Sequence, residues 1–242
     1  KPAYKTWFDE IKAAGCHTWM HSCGHINEIV EELIDVGLEV INNQLERNDV
    51  ELIHGTASFV DPNTIKVAAK GGDPDTLHAP LIVIATGSRP RRPAEIPFND
   101  VTVCDSDSIL STEAIPKSMI VMGGGVIGCE YASMFAAFGI KVTLYDRRLE
   151  ILRFVDQEIV QALIYHMRTN GVTIRLGEEI DKVATDEQGR VVTALKSGKT
   201  IVTDSLLYSM GRLANTDSLN LPAAGLTVDK IGQLKVNEHY QT

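Results

Sequence analysis

The residues with the clearest chemical potential are three glycines, Gly123, Gly125 and Gly128, spaced Gly-x-Gly-x-x-Gly. An apolar run, Ile120-Val121-Met122, leads into them. A helix-like run, Tyr131 to Phe138, follows, and a second strand-like run, Lys141 to Tyr145, ends in Asp146. This order cradles a dinucleotide pyrophosphate: strand, glycine turn, helix, strand, and an acidic residue about 20 positions on. Gly123 is expected to make the tight turn. Gly125, with Val126 and Ile127 beside it, would let backbone amides approach the phosphates, and Gly128 would let the helix lie close to the strand. The helix N-terminus then offers unpaired N–H groups and the positive end of its dipole. Asp146 is placed to accept from a ribose 2′-hydroxyl and would repel a 2′-phosphate. Arg147 and Arg148 either bind such a phosphate or form a solvated loop, so NAD and NADP both stay open. The competing reading is an ordinary βαβ unit with a glycine-rich turn.

The other chemistry-bearing residues are weaker signals. His21 and Cys23, with His25 close by, are of the types that ligate zinc. A structural zinc site normally pairs two ligand clusters, and this stretch supplies one. An incidental polar strand end is therefore preferred, and no metal is expected. Cys129 follows Gly128 directly and should face the interior as a small hydrophobe, and Cys104 reads the same way. Glu130, one turn into the helix, is favourably placed against the helix dipole. No Ser-His-Asp array or paired-carboxylate site stands out.

These residues need a scaffold, and the sequence alternates strands and helices in the manner of a parallel α/β protein. Residues 1–44 read as helix, strand, helix, strand, and the polar stretch Gln44 to Asp49 is the best boundary. Val50–Ile53, Ala57–Val60 and Thr64–Ala68 are expected as short antiparallel strands, with turn chemistry at Asp61-Pro62-Asn63 and at Gly71 to Asp75. Leu81 to Ala85 has the look of a strand buried on both faces, closing on Thr86-Gly87-Ser88. A proline-rich connector, 89–97, leads toward the nucleotide-binding unit, which starts near Ser118. A helix over 156–170 should be capped by Gly171, followed by a third parallel strand at Val172–Leu176. A meander over 182–202 and a strand at Ser205–Ser209, leading to Gly211-Arg212, complete the unit. The expected domains are 1–44, a βα segment; 45–114; 115–215, a Rossmann-type nucleotide domain; and 216–242, a returning tail.

Bulk properties narrow the classes. The 242 residues are 44% hydrophobic and carry a net charge of −9, which argues against general nucleic-acid binding. No apolar run reaches the roughly 18 residues of a membrane span. The N-terminus has no signal-peptide core. Cysteines at 16, 23, 104 and 129 lack the spacing of a disulfide framework, so a reduced, cytoplasmic setting is expected.

From about residue 46 onward the chain resembles the flavoprotein family of pyridine nucleotide-disulfide oxidoreductases, which have two dinucleotide-binding domains. The likeness is carried by Val50-Glu51-Leu52-Ile53-His54-Gly55, Ile84-Ala85-Thr86-Gly87-Ser88-Arg89-Pro90, Asp105 to Leu110, Gly125 to Ser133 and Gly211 to Leu219. It is closest to members that pass hydride between NADPH and NAD+ through FAD. The resemblance implies that Thr86 and Gly87 belong to an FAD domain. It also implies that Glu130 lies near nicotinamide and flavin, and that Gly211 and Arg212 border the nicotinamide. The family's own FAD-phosphate glycine motif, redox cysteine pair, ribitol-holding Gly-Asp motif and dimerisation domain are not in this sequence. The chain is therefore expected to hold NAD(P), to lack FAD when isolated, and to be catalytically incomplete. The open edge of the Leu81–Ala85 strand would either invite a homo-oligomer through residues 50–112 or leave that region poorly ordered. Residues 1–44 bear a shorter likeness to the uroporphyrinogen decarboxylase and corrinoid methyltransferase superfamily, through Trp19-Met20-His21-Ser22-Cys23-Gly24-His25 and Gly37 to Asn42. In methyltransferase members His21 and Cys23 would be zinc ligands. A non-catalytic nucleotide-binding module, and a fragment of a zinc-dependent barrel, stand as alternatives.

Overall fold

The computed structural model describes residues 51, 53–68 and 73–242. Two compact units are distinguished: Lys1–Ser58 with Thr64–His78, and Phe59–Asn63 with Ala79–Thr242. The first strand, β1 (Thr56–Asp61), runs across the division between them. In the first unit β2 (Thr64–Ala68) and β3 (Asp75–His78) pair antiparallel, Thr64 opposite His78 and Val67 opposite Asp75. Glu51 and Ile53 lie outside any strand, contrary to the expectation for Val50–Ile53, and no ladder partner lies beside them among the described residues.

The second unit holds a five-stranded parallel sheet made of β5 (Val103–Asp105), β6 (Ser118–Met122), β7 (Lys141–Asp146), β8 (Thr173–Leu176) and β12 (Ser205–Tyr208). Their spatial order is β5-β12-β6-β7-β8. Strand periodicity sorts the apolar residues into two cores. Val121, Leu144 and Leu207 face one side, where they pack with Cys129 and Ala132 of α1 (Val126–Ala137) and Val160 and Met167 of α2 (Gln157–Thr169). Ile120, Met122, Tyr145 and Leu206 face the other side, with Val183, Val191 and Leu195. Those last three belong to a meander of β9 (Ile180–Thr185), β10 (Val191–Leu195) and β11 (Thr200–Thr203), ordered β11-β10-β9. Burial on both faces explains why the central strands read as unbroken apolar runs.

The local signals hold where packing supports them. Asp156 caps α2 by accepting from the Glu158 amide at 2.9 Å, and Gly171 past its end takes a φ of 87°. The glycine-turn helix begins at Val126, five residues before the helix-like run read from sequence. Leu81–Ala85 departs outright. It forms no strand, and Leu81 and Val83 are each 77% exposed. An apolar run becomes a strand only against a ladder neighbour, and none pairs with it among the described residues. The chain re-enters regular structure at β4 (Ser88–Pro90), antiparallel to β13 (Arg212–Ala214). The tail packs back within this unit, with the Phe59 amide donating to the Leu219 carbonyl and Asn220 Nδ2 to the Phe59 carbonyl.

Candidate functional site

At the C-terminal end of β6 the chain must turn sharply to start α1, and the glycines answer separate demands. Gly123 has a φ of 117° and donates its amide to Tyr145 O at 2.8 Å. A Cβ on Gly128 would lie 1.8 Å from Gly123 O, so the helix approaches the turn at a distance only hydrogen permits. A Cβ on Gly124 would meet Ile151 Cγ2 at 2.4 Å. Gly125 differs: a Cβ there meets nothing within 4 Å. The fold itself does not require Gly125 to be small, which leaves the open space in front of it as the reason.

That space is a cleft of about 620 Å³. It gathers Gly123, Gly125, Val126 and Ile127 from the turn and the first turn of α1. Asp146, Arg147 and Arg148 join from the end of β7, and Gly211 and Arg212 from the far side. Gly128 lies beneath this floor as packing. Arg91, Glu95, Tyr208, Ser209 and Met210 also line the cleft and escaped the sequence reading. Ser209 and Met210 adjoin Gly211, a signal that could have found them. Nothing local marks Arg91 or Glu95.

The end of β7 carries a dense polar knot. Asp146 is only 1% exposed. Its Oδ1 accepts from the Arg148 amide at 2.8 Å and Arg148 Nε at 3.0 Å, and its Oδ2 from the Gly124 amide at 2.7 Å and Arg148 Nη2 at 2.6 Å. Burial pushes the carboxyl pKa up, but the Arg148 guanidinium and the two backbone amides outweigh it and hold it below the usual range. The expected free ribose acceptor is therefore already engaged. Beside the cleft, Arg147, Arg148 and Arg153 line a further hollow of about 350 Å³ with Leu149 and Glu150.

Other expected residues fall elsewhere. Glu130 is exposed, one turn further along α1 than Val126, and does not line the cleft. Thr86 and Gly87 are also outside it, and their carbonyls accept from Asn215 Nδ2 and the Asn215 amide, each at 3.0 Å. Arg212 is fastened to Ser88, through Nε to Oγ at 2.8 Å and Nη2 to the carbonyl at 2.6 Å. Cys129 is buried, and burial pushes its thiol to about 11, so it stays protonated at neutral pH. His21 and Cys23 lie outside the described residues. Among the described residues no group of three His, Cys, Asp or Glu could hold a metal, and no helix is long and apolar enough to cross a membrane.

The family model for pyridine nucleotide-disulphide oxidoreductases matches residues 12–242. The chain belongs to this family. Soluble pyridine nucleotide transhydrogenase from Colwellia psychrerythraea is 45% identical over 225 residues, covering 93% of this chain and 47% of its own length. The protein of that name from Pectobacterium atrosepticum is 50% identical over 197 residues, covering 81% and 42%. The chain thus spans less than half the length of these relatives. Among solved structures, the HOCl-induced flavoprotein disulfide reductase RclA from Escherichia coli matches at 26% identity with a TM-score of 0.72, covering 98% of this chain and 52% of its own. LpdA from Mycobacterium tuberculosis matches at 23% identity and a TM-score of 0.75 over 97% and 52%, a likeness of fold alone. The α/β Rossmann-type fold agrees with the family. The second likeness, of residues 1–44 to decarboxylase and methyltransferase barrels, gains no support: the oxidoreductase match begins at residue 12 and takes in most of that segment.

Proposed function

We propose that the cleft holds NAD(H) or NADP(H), and that the protein to which this chain belongs passes hydride between NADPH and NAD+ with FAD as the intermediary. One observation carries the reading. Gly125 opens on empty space at the N-terminus of α1, inside a 620 Å³ cleft, where no packing demand explains a glycine. The identity of 45–50% to soluble pyridine nucleotide transhydrogenases supports the choice of reaction. In this reading Gly123, Gly125, Val126 and Ile127 surround the pyrophosphate. Its charge meets unpaired amides and the helix dipole. Gly211 and Arg212 border the nicotinamide end. Arg147, Arg148 and Arg153 form a cationic rim beside the adenosine ribose, which suits a 2′-phosphate.

FAD, when bound, would take hydride from one nicotinamide and give it to the other. Thr86 and Gly87 are assigned to its edge by family resemblance. They do not line the cleft, and no step is assigned to residues there. Buried free thiols at Cys104 and Cys129 suit a reducing cytoplasm.

The test is NADPH-dependent reduction of thio-NAD+ by the full-length protein, beside calorimetric titration of both nucleotides. Turnover with binding at this cleft supports the proposal. Absence of binding to either nucleotide refutes it.

A further inference from the structure

Asp146 is the group whose geometry most exceeds what nucleotide binding alone asks for. A carboxylate offers about four acceptor positions. All four are used: two by the amides of Gly124 and Arg148, two by the Arg148 guanidinium. The same stretch closes on Gly124 from its other side, since the Leu152 amide donates to Gly124 O at 3.1 Å. The Gly177 amide donates to the carbonyls of Asp146 and Arg148, at 3.0 and 3.1 Å. Gly124 therefore has both backbone groups held by residues 146–152. A Cβ on it would strike Ile151 of that stretch. The loop after β7 and the glycine turn form one hydrogen-bonded piece, and Asp146 is its centre.

We propose that Asp146 is a positioning residue, which locks the glycine turn to Arg148 and holds that guanidinium at the cleft, rather than the acceptor of a ribose hydroxyl. The inference rests on the nucleotide-binding reading of the cleft. A ribose hydroxyl could reach this carboxylate only by displacing Arg148 or an amide. Asp146 then supports both nucleotides alike, through the shape of the turn. Discrimination falls to the arginines, because Arg148 shields the carboxylate that would otherwise favour an unphosphorylated ribose.

Calorimetric titration of NADH and NADPH on the purified protein separates the two roles. With Asp146→Asn, one oxygen becomes an amide that cannot accept from the Gly124 amide or Arg148. Both affinities are expected to fall by about tenfold, with their ratio within about threefold of wild type. With Arg148→Met the carboxylate is freed, and the ratio should move toward NADH by about tenfold. Arg148 is half-exposed, so that variant keeps the measurement available even where Asp146→Asn fails to fold. A loss of NADH binding alone in Asp146→Asn, or an unchanged ratio in Arg148→Met, overturns the inference while the cleft's assignment stands. A wild-type protein that binds neither nucleotide overturns the assignment itself.

Discussion

Two stretches of this chain carry equally strong apolar strand signals, and they meet opposite ends. Ile120-Val121-Met122 becomes the middle of a parallel sheet, flanked by β12 and β7 and closed on both faces. Leu81 to Ala85 stays without a ladder, its side chains largely in the open. Composition does not separate them. What separates them is whether the chain itself delivers neighbours. Around β6, the partners arrive from 141–146 and 205–208, each on the end of a folded connection. Chemistry follows the same division. The turn that leaves β6 is held rigidly enough to shape a cleft, while Thr86 and Gly87, just past the open stretch, do not line it.

The largest effect should come from breaking the rigid side. Gly128→Val places a side chain where even a Cβ lies 1.8 Å from Gly123 O. Overpacking on this scale is expected to cost about 3 kcal/mol or more, seen as a fall in the urea midpoint, with nucleotide binding lost together with the turn. Gly125→Val sharpens the contrast within the same motif. Its Cβ meets nothing, and its φ of −85° suits any residue. The urea midpoint should stay close to wild type while nucleotide affinity falls at least about tenfold, or about 1.4 kcal/mol. Unchanged affinity would remove Gly125 from the site.

The rigid side was the legible one. The glycine spacing, the strand before it and the acid after it describe a local unit whose partners lie within 30 residues, so sequence and structure agree on β6, β7 and the helix between them. The stop at Gly171, which takes a φ of 87°, was readable for the same reason: it depends on a few neighbouring residues. Leu81 to Ala85 was misread because burial is a property of neighbours, not of the run. Asp146 was half-read. Its place at the end of β7 was legible, but nothing in the spacing reveals that Arg148, two residues on, occupies its oxygens. Arg91 and Glu95 reach the cleft from a proline-rich connector with no periodicity, which is why they were invisible.

The connector offers a milder way to probe where the open region ends. Arg92 bonds to Asp105 and Asp100 and lies 5.0 Å from the centre of the Phe98 ring, so it anchors the connector to β5. Burial raises the pKa of Asp105, but the amides of Ser108 and Asp107 and the Arg92 guanidinium outweigh it and leave the carboxyl below its usual value. A folded pKa below the unfolded value of about 3.9 means the stabilisation is present above that pH and is lost as pH falls through the folded value. Arg92→Met should therefore cost about 1 kcal/mol at pH 7, given that Arg92 is partly solvated. The gap to wild type should narrow in thermal melts as pH falls below about 3.9 and through the folded value. A gap that persists at low pH would mean the guanidinium acts through packing on Phe98 instead.

The smallest expected effect is the most informative about the open side. Leu207→Ala, in the closed core, should cost about 3 kcal/mol. Leu81→Ser, at 77% exposure, should change the unfolding free energy by less than about 0.5 kcal/mol if the stretch is as open in solution as it is here. Covering by another part of the longer protein, or by a second copy, would make Leu81 behave like Leu207. The two sources separate by concentration. A cost that shrinks on dilution, as light scattering falls from dimer to monomer, assigns the cover to a second copy, because association stabilises by mass action. A cost that is independent of concentration assigns it to the same chain. No cost at all leaves the apolar run as a strand sequence without a sheet, which is how the described residues present it.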